Sequence, residues 1–323
     1  MKILYAFQGT GNGHMARAQE IVPILKKYAS VDTLISGHQS QLKADFEINF
    51  QYSGISLLYN KIGGLSYFKT LSRNNFLEAA RVIRSLDLSG YDLIINDFEP
   101  LTSWICRIKG FPMIGLSHQA SMSFKETPKP AKKDFFGELV LRYYAPFRKC
   151  IGFHFEPYHA GIKKPVIRKK IRNLQPEKKG YYLVYLPSYS DENIIGILKN
   201  IPVQWKVFSR YAPQAFTEGN IEVFPIDEHQ YLKYFESCNG ILCNAGFETP
   251  AEALFMDKKL FVIPIHNQYE QECNACALDK MGIPNSKVLK EREIRDWVAS
   301  DFHYQVDYPD NIEEILLKEV LGR

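Results

Sequence analysis

Gly9-Thr10-Gly11-Asn12-Gly13-His14 is the first segment whose residue types and spacing can do chemistry. Three glycines follow a short apolar run and precede a stretch with helical spacing. Glycine lets the backbone turn sharply and approach a ligand closely. The N–H groups exposed at a helix start then attract anions. A dinucleotide fingerprint would have glycine where His14 stands and an acid at the end of the next strand. That strand ends in Ile35-Ser36-Gly37, and its acid, Asp32, sits at its start, which argues against a dehydrogenase. A helix start disfavours imidazolium. A neutral His14 at a cleft edge can therefore take a proton from a hydroxyl. Its plainer alternative is a polar residue that bonds a nearby loop.

The second such segment runs from Asn244 to Ala275. Asn244-Ala245-Gly246-Phe247-Glu248 closes an apolar run. Thr249-Pro250-Ala251-Glu252 then reads as a capping box, with proline at the first helical position. Free N–H groups there, with Gly246 giving access, suit a diphosphate. Glu252 has two readings: the cap's reciprocal partner, or a carboxylate accepting from a ribose diol. Further on, Glu270 and Gln271 can read sugar hydroxyls, or can simply begin an exposed helix. Asp97 and Glu99 follow the run 91–96 and point the same way if the chain is extended. Either serves as base, as acceptor ligand, or as helix-start chemistry before Pro100. Ser117-His118-Gln119 also ends a strand, so His118 and Gln119 are candidate acceptor ligands. A structurally satisfied histidine is the competing reading.

These residues must be positioned by strands and helices, and the chain supplies both. Apolar runs at 2–7, 31–36, 49–58, 91–96 and 111–116 alternate with helical patterns at 14–28 and 75–86. The alternation means a parallel sheet wrapped by helices. It restarts with runs at 181–186, 203–208, 221–224, 240–243 and 260–263. The expected fold is α/β, with two Rossmann-like parallel sheets facing a cleft. The expected division is an N-terminal domain over 1–155, a linker over 156–180 and a C-terminal domain over 181–323. The last helix is free to cross back to the first domain. Ligands of open parallel sheets sit at the carboxyl ends of strands, where these motifs lie.

Composition narrows the setting. The chain has 323 residues, 46% of them hydrophobic, which suits two domains. The opening run reads as a strand rather than a secretory signal, and no apolar stretch is long enough to cross a membrane. Most of the six cysteines sit in apolar contexts, as buried free thiols do, and a reducing, cytoplasmic setting fits. Cys273-x-x-Cys276 lacks a second pair and reads as packing rather than as a zinc or redox site. From Lys125 to Lys179 there are 15 Lys/Arg and 5 Asp/Glu, interleaved with Phe135-Phe136, Leu139 and Tyr143-Tyr144. That mixture suggests an anionic membrane surface or an anionic acceptor, against a solvated helix face as the alternative.

The pattern Ala245-Gly246-x-x-Thr249-x-x-Glu252-Ala253-Leu254, then Pro264 and Glu270-Gln271-x-x-Asn274-Ala275, resembles the donor-site signature of GT-B glycosyltransferases. The nearest groups are the lipid II N-acetylglucosaminyltransferases, the diacylglycerol galactosyltransferases, and the macrolide and plant UDP-glycosyltransferases. Gly9-Thr10-Gly11-x-Gly13-His14 is similar to the glycine loop of the first group. The resemblance implies sugar transfer from a nucleotide-diphosphate donor, with UDP the expected nucleotide, by inversion and without an essential metal or a cofactor. It implies donor contacts from Gly11, Gly13, Asn244, Gly246 and Thr249, with Glu252 on the ribose and Glu270 and Gln271 on the sugar. Glu270 stands where the plant and macrolide enzymes usually carry Asp. His14 is implied as the base, with Asp97 and Glu99 as rivals. The acceptor is expected to be lipid-linked or anionic, reached by peripheral contact with the inner face of the cell envelope membrane. Nucleic acid is not among the expected partners. A nucleotide-sugar hydrolase or 2-epimerase on the same fold, or a non-catalytic nucleotide-sugar-binding protein, are the alternatives.

Overall fold

A computed structural model describes residues 1–37, 44–55, 74–132 and 134–323. The part of the expected 49–58 strand beyond residue 55 lies outside them.

The first half contains β1 (Lys2–Gln8), α1 (Asn12–Lys26), β2 (Ser30–Ser36), β3 (Phe50–Tyr52), α2 (Phe76–Ser85), β4 (Leu93–Asp97), α3 (Pro100–Lys109), β5 (Met113–Ser117), α4 (His118–Ser121), α5 (Phe135–Tyr143), β6 (Lys149–Phe153), β7 (Ile162–Lys163) and α6 (Lys169–Arg172). The second contains β8 (Tyr181–Tyr185), α7 (Asp191–Leu198), β9 (Gln204–Ser209), β10 (Phe216–Glu218), β11 (Ile221–Pro225), α8 (Glu228–Ser237), β12 (Gly240–Asn244), α9 (Glu248–Phe255), β13 (Lys259–Ile263), α10 (Tyr269–Lys280), α11 (Glu291–Ala299) and α12 (Ile312–Ile315), which runs on into a π turn at Leu316–Val320.

The strand order is β3-β2-β1-β4-β5-β6-β7 in one sheet and β10-β11-β9-β8-β12-β13 in the other. Every pairing is parallel except β10 with β11. The continuous apolar runs follow from this: a parallel strand is covered on both faces. Ile3, Leu4, Tyr5, Ala6 and Phe7 are all fully buried. Along α1, Ala18, Ile21, Val22 and Leu25 form the stripe that packs on this sheet. Each aliphatic side chain so buried contributes about 1.5–3 kcal/mol.

Chain order reverses between β1 and β4, and again between β8 and β12, so each sheet has one crevice at its strand ends. The glycine loop leaves β1 and Asp97 ends β4. Ser188 follows β8 and Asn244 ends β12. The β7 pairing sits inside the 156–180 stretch and extends the first sheet. At the chain end, α12 packs back on α1, where Lys27 bonds Glu313 at 2.9 Å. No helix among the described residues is long and apolar enough to cross a membrane.

Candidate functional site

The two crevices open into one cleft of about 950 Å³ between the sheets. From the first half, Gly11, Gly13, His14, Arg17 and Phe98 line it. From the second come Asn244, Gly246, Glu248, Thr249, Glu252, Glu270 and Gln271.

Gly11 caps α1 with φ 85°, a left-handed conformation that glycine adopts without strain. No side chain caps this helix, so its first turn faces the cleft with peptide N–H groups. His14 follows within that turn and is 8% exposed. Its Nδ1 lies 2.8 Å from Asp97 Oδ1. An ionised carboxylate only accepts, so Nδ1 carries the proton of this bond and Nε2 is the ring nitrogen turned away from Asp97.

Arg17, one turn further along α1, completes the arrangement. Its Nε donates to Asp97 Oδ2 at 2.8 Å and its Nη2 to Oδ1 at 2.9 Å. Its Nη1 donates to Glu248 Oε1, in the other half, at 2.6 Å. Burial opposes ionisation of Asp97, yet Arg17 and His14 outweigh it and hold the carboxyl below its ordinary range. Burial likewise opposes the Arg17 charge, and Asp97 and Glu248 more than restore it. An added Cβ at Gly13 would lie 2.5 Å from Glu248 Oε2, so a side chain there would push that carboxylate off its present place.

Asp97 and Glu99 do not point the same way. Phe98 between them has φ 55°, a left-handed value costly for a bulky residue. The turn sends Asp97 to His14 and aims Phe98 at the cleft, where its ring lies against Tyr144 at 4.9 Å. Glu99 is buried at the start of α3 instead. It accepts from the Leu101 and Thr102 amides at 2.8 and 2.7 Å and from the Ser36 and Thr102 hydroxyls, both at 2.6 Å. Glu99 is thus a helix cap and neither base nor acceptor ligand.

His118 also departs from expectation. It is 1% exposed and stacks on Phe247 at 3.9 Å. Nδ1 lies 2.8 Å from the Phe153 carbonyl and Nε2 2.8 Å from Asn274 Oδ1. With both nitrogens engaged, it braces the two halves and has none to offer an acceptor. Gln119 reaches across the cleft and donates to Glu270 Oε2 at 3.1 Å.

In the second half, α9 begins earlier than the capping box suggested. Glu248 opens the helix after Phe247, and Thr249 makes no cap bond. Its amides start the helix at the cleft beside Gly246, where an added Cβ would meet nothing within 4 Å. Glu252 is turned from the helix start to Arg168, which donates to its two oxygens at 2.6 and 2.9 Å. Arg168 also donates to Glu228 at 3.1 Å. Asn244 bonds Ser188 and the Ile263 carbonyl, locking three strand ends together. Gln271 accepts from the Ile265 amide at 3.0 Å and fixes the loop before α10.

Arg17, Arg168 and Glu248 carry no sequence signal beyond their charge. Their partners lie 80, 84 and 231 residues away in the chain. Among the described residues, no three His, Cys, Asp or Glu side chains are grouped to hold a metal.

A sequence model of the family described as Glycosyl transferase family 1 matches residues 1–306. No curated protein sequence matches the chain. Among solved structures, the chain is similar to the glycotransferase of kitacinnamycin, with TM-score 0.61 and 12% identity over 92% of this chain and 89% of that one. It is similar to Arabidopsis thaliana UGT89C1 complexed with UDP-L-rhamnose, with TM-score 0.57 and 14% identity over 98% and 93%. It is also similar to Acinetobacter baumannii MurG, with TM-score 0.54 and 14% identity over 98% and 99%. At these identities the likeness is one of fold.

Proposed function

The chain belongs to glycosyl transferase family 1 and has the GT-B architecture of two facing Rossmann-like halves; on that premise we propose that it transfers a sugar, with inversion, from a UDP-sugar to an acceptor hydroxyl, with His14 as the base. The supporting observation is the His14–Asp97 pair at 2.8 Å, set on the same cleft as the uncapped start of α9. UDP is taken as the nucleotide because the Arabidopsis neighbour holds UDP-L-rhamnose. In this reading residues 1–155 take the acceptor, 181–323 take the donor, and 156–180 join them.

The acceptor hydroxyl gives its proton to His14 Nε2 while its oxygen bonds to the anomeric carbon. The bond from that carbon to the β-phosphate oxygen breaks on the opposite face, and UDP leaves with the electron pair. Asp97 balances the imidazolium that forms, and the amides of α9 stabilise the charge on the leaving diphosphate. Gly11 and Gly246, with open space where a side chain would stand, let the diphosphate approach backbone, and Gly13 and Thr249 flank it. Glu252, oriented by Arg168, has lone pairs left for the ribose diol, since a carboxylate offers about four acceptor sites. Glu270 and Gln271 read the sugar. The acceptor is taken as lipid-linked or anionic, from the basic character of residues 125–149.

Two variants test this together. His14→Ala should keep UDP affinity by calorimetry and lose roughly 10²–10⁴ in kcat. Glu252→Ala should weaken UDP by about 2 kcal/mol, roughly 30-fold. Unchanged turnover in the first, or unchanged affinity in the second, removes that residue from the mechanism. Sugar release at full rate without acceptor would move the assignment to a hydrolase or 2-epimerase.

A further inference from the structure

The helix α5 has two faces of different character. Phe135 is 70% exposed, Phe136 65%, Leu139 43% and Tyr143 44%. Positions 135, 139 and 143 recur every fourth residue and so share one stripe, with 136 at its margin. In the chain on and either side of the helix, Lys125, Lys129, Lys132, Arg142, Arg148 and Lys149 are exposed. Of the three acidic residues between 125 and 149, Asp134 caps the Gly137 amide at 2.9 Å and Glu138 accepts from the Tyr269 hydroxyl at 3.1 Å. The opposite face is pinned to α10. Leu141 packs with Met122, Tyr269 and Cys273, and at Gly137 an added Cβ would overlap Tyr269.

We propose that the outer face of α5 docks on an anionic lipid bilayer and, in doing so, presents the cleft to an acceptor held in that bilayer. Exposed phenyl groups in a segment rich in exposed cations suit the boundary between acyl chains and anionic headgroups. Each Lys or Arg near such a surface strengthens binding about fivefold. A second copy is a poor occupant, because self-pairing would set like charges against each other. The docked helix leads directly into the reaction site. Tyr144, its capping residue, lines the cleft beside Phe98 and Gln8, while Tyr269 on its inner face opens the helix carrying Glu270 and Gln271. The lipid-held acceptor rests on the transfer reading above; the docking does not.

Sedimentation with phosphatidylglycerol-containing and pure phosphatidylcholine vesicles tests it. The protein should pellet with the anionic vesicles at low salt, and release at 1 M salt, where the screening length is about 3 Å. The F135S/F136S double variant should bind the same vesicles at least about tenfold more weakly, with UDP affinity by calorimetry unchanged. Failure of the wild type to pellet with anionic vesicles, or equal binding by the variant, overturns the proposal. So does lipid-independent dimerisation that the double variant abolishes, which would give the face to a second copy. Loss of UDP binding in the wild type would instead defeat the transfer reading and leave the docking intact.

Discussion

At the scale of single residues, the chemistry rests on charges that balance in pairs. Asp97 is fully buried and would be costly alone; Arg17 and His14 make it tolerable. Replacing Arg17 with Met should strand that carboxylate and cost about 3–5 kcal/mol in urea unfolding. Folded Arg17→Met should also lose kcat, because nothing then holds Asp97 square to His14. Little of this could be read from the sequence. His14 stood out because a histidine replaced an expected glycine. A lone arginine on the following turn looks like any solvated charge until a strand end 80 residues away folds against it. Glu252 stood out by its spacing, but the same spacing suggested a capping bond that Arg168 has displaced.

At the scale of elements, the turn from β4 into α3 separates two acids that lie two residues apart. The left-handed Phe98 is the cause, and no sequence pattern announces a bulky residue in that conformation. Glu99 then accepts two amides and two hydroxyls, all within the protein. Burial raises its pKa despite those bonds. Glu99→Gln should therefore destabilise by about 2–3 kcal/mol, since an amide turns donors toward donors. Turnover per folded molecule should stay within about twofold, measured on protein held well below its melting temperature. A Glu99→Gln protein of normal stability would contradict the cap. The strands themselves were far more legible, because parallel strands covered on both faces are continuous apolar runs. The exceptions are β6, β7 and β10, of which β10 pairs with β11 across Gly219-Asn220, Gly219 having φ 59°. That dipeptide is a hairpin signal, but the run before it is short and exposed.

At the scale of the whole molecule, the halves are joined by a packed seam as well as by ion pairs. His118, His154, Phe155 and Phe247 stack there, and one apolar cluster runs through both sheets. Burial, with His118 adding to it, pushes the His154 pKa well below its ordinary 6.5. Burial lowers that of His118 as well. Both groups titrate near 6.5 when unfolded, so below that pH the unfolded chain binds more protons than the native one. Stability should thus be full above pH 6.5 and fall as pH drops through it, by up to about 1.4 kcal/mol per unit for each group. His154→Gln should flatten that slope in melting curves taken between pH 7 and 5. An unchanged slope would mean that His154 is already protonated in the native seam.

The Arg17–Glu248 bond carries a consequence for any attempt to recombine such chains. It joins the first turns of α1 to the first residue of α9, one from each half. Gly13 is bare of a side chain so that the glutamate can come that near. A hybrid that takes its front half here and its rear half from a cousin inherits one member of the couple without the other. Unless arginine, glycine and glutamate travel together, the graft should keep the Arg17–Asp97 pair but lose the tie that sets it against the rear portion, and sugar exchange should slow even though each portion is sound.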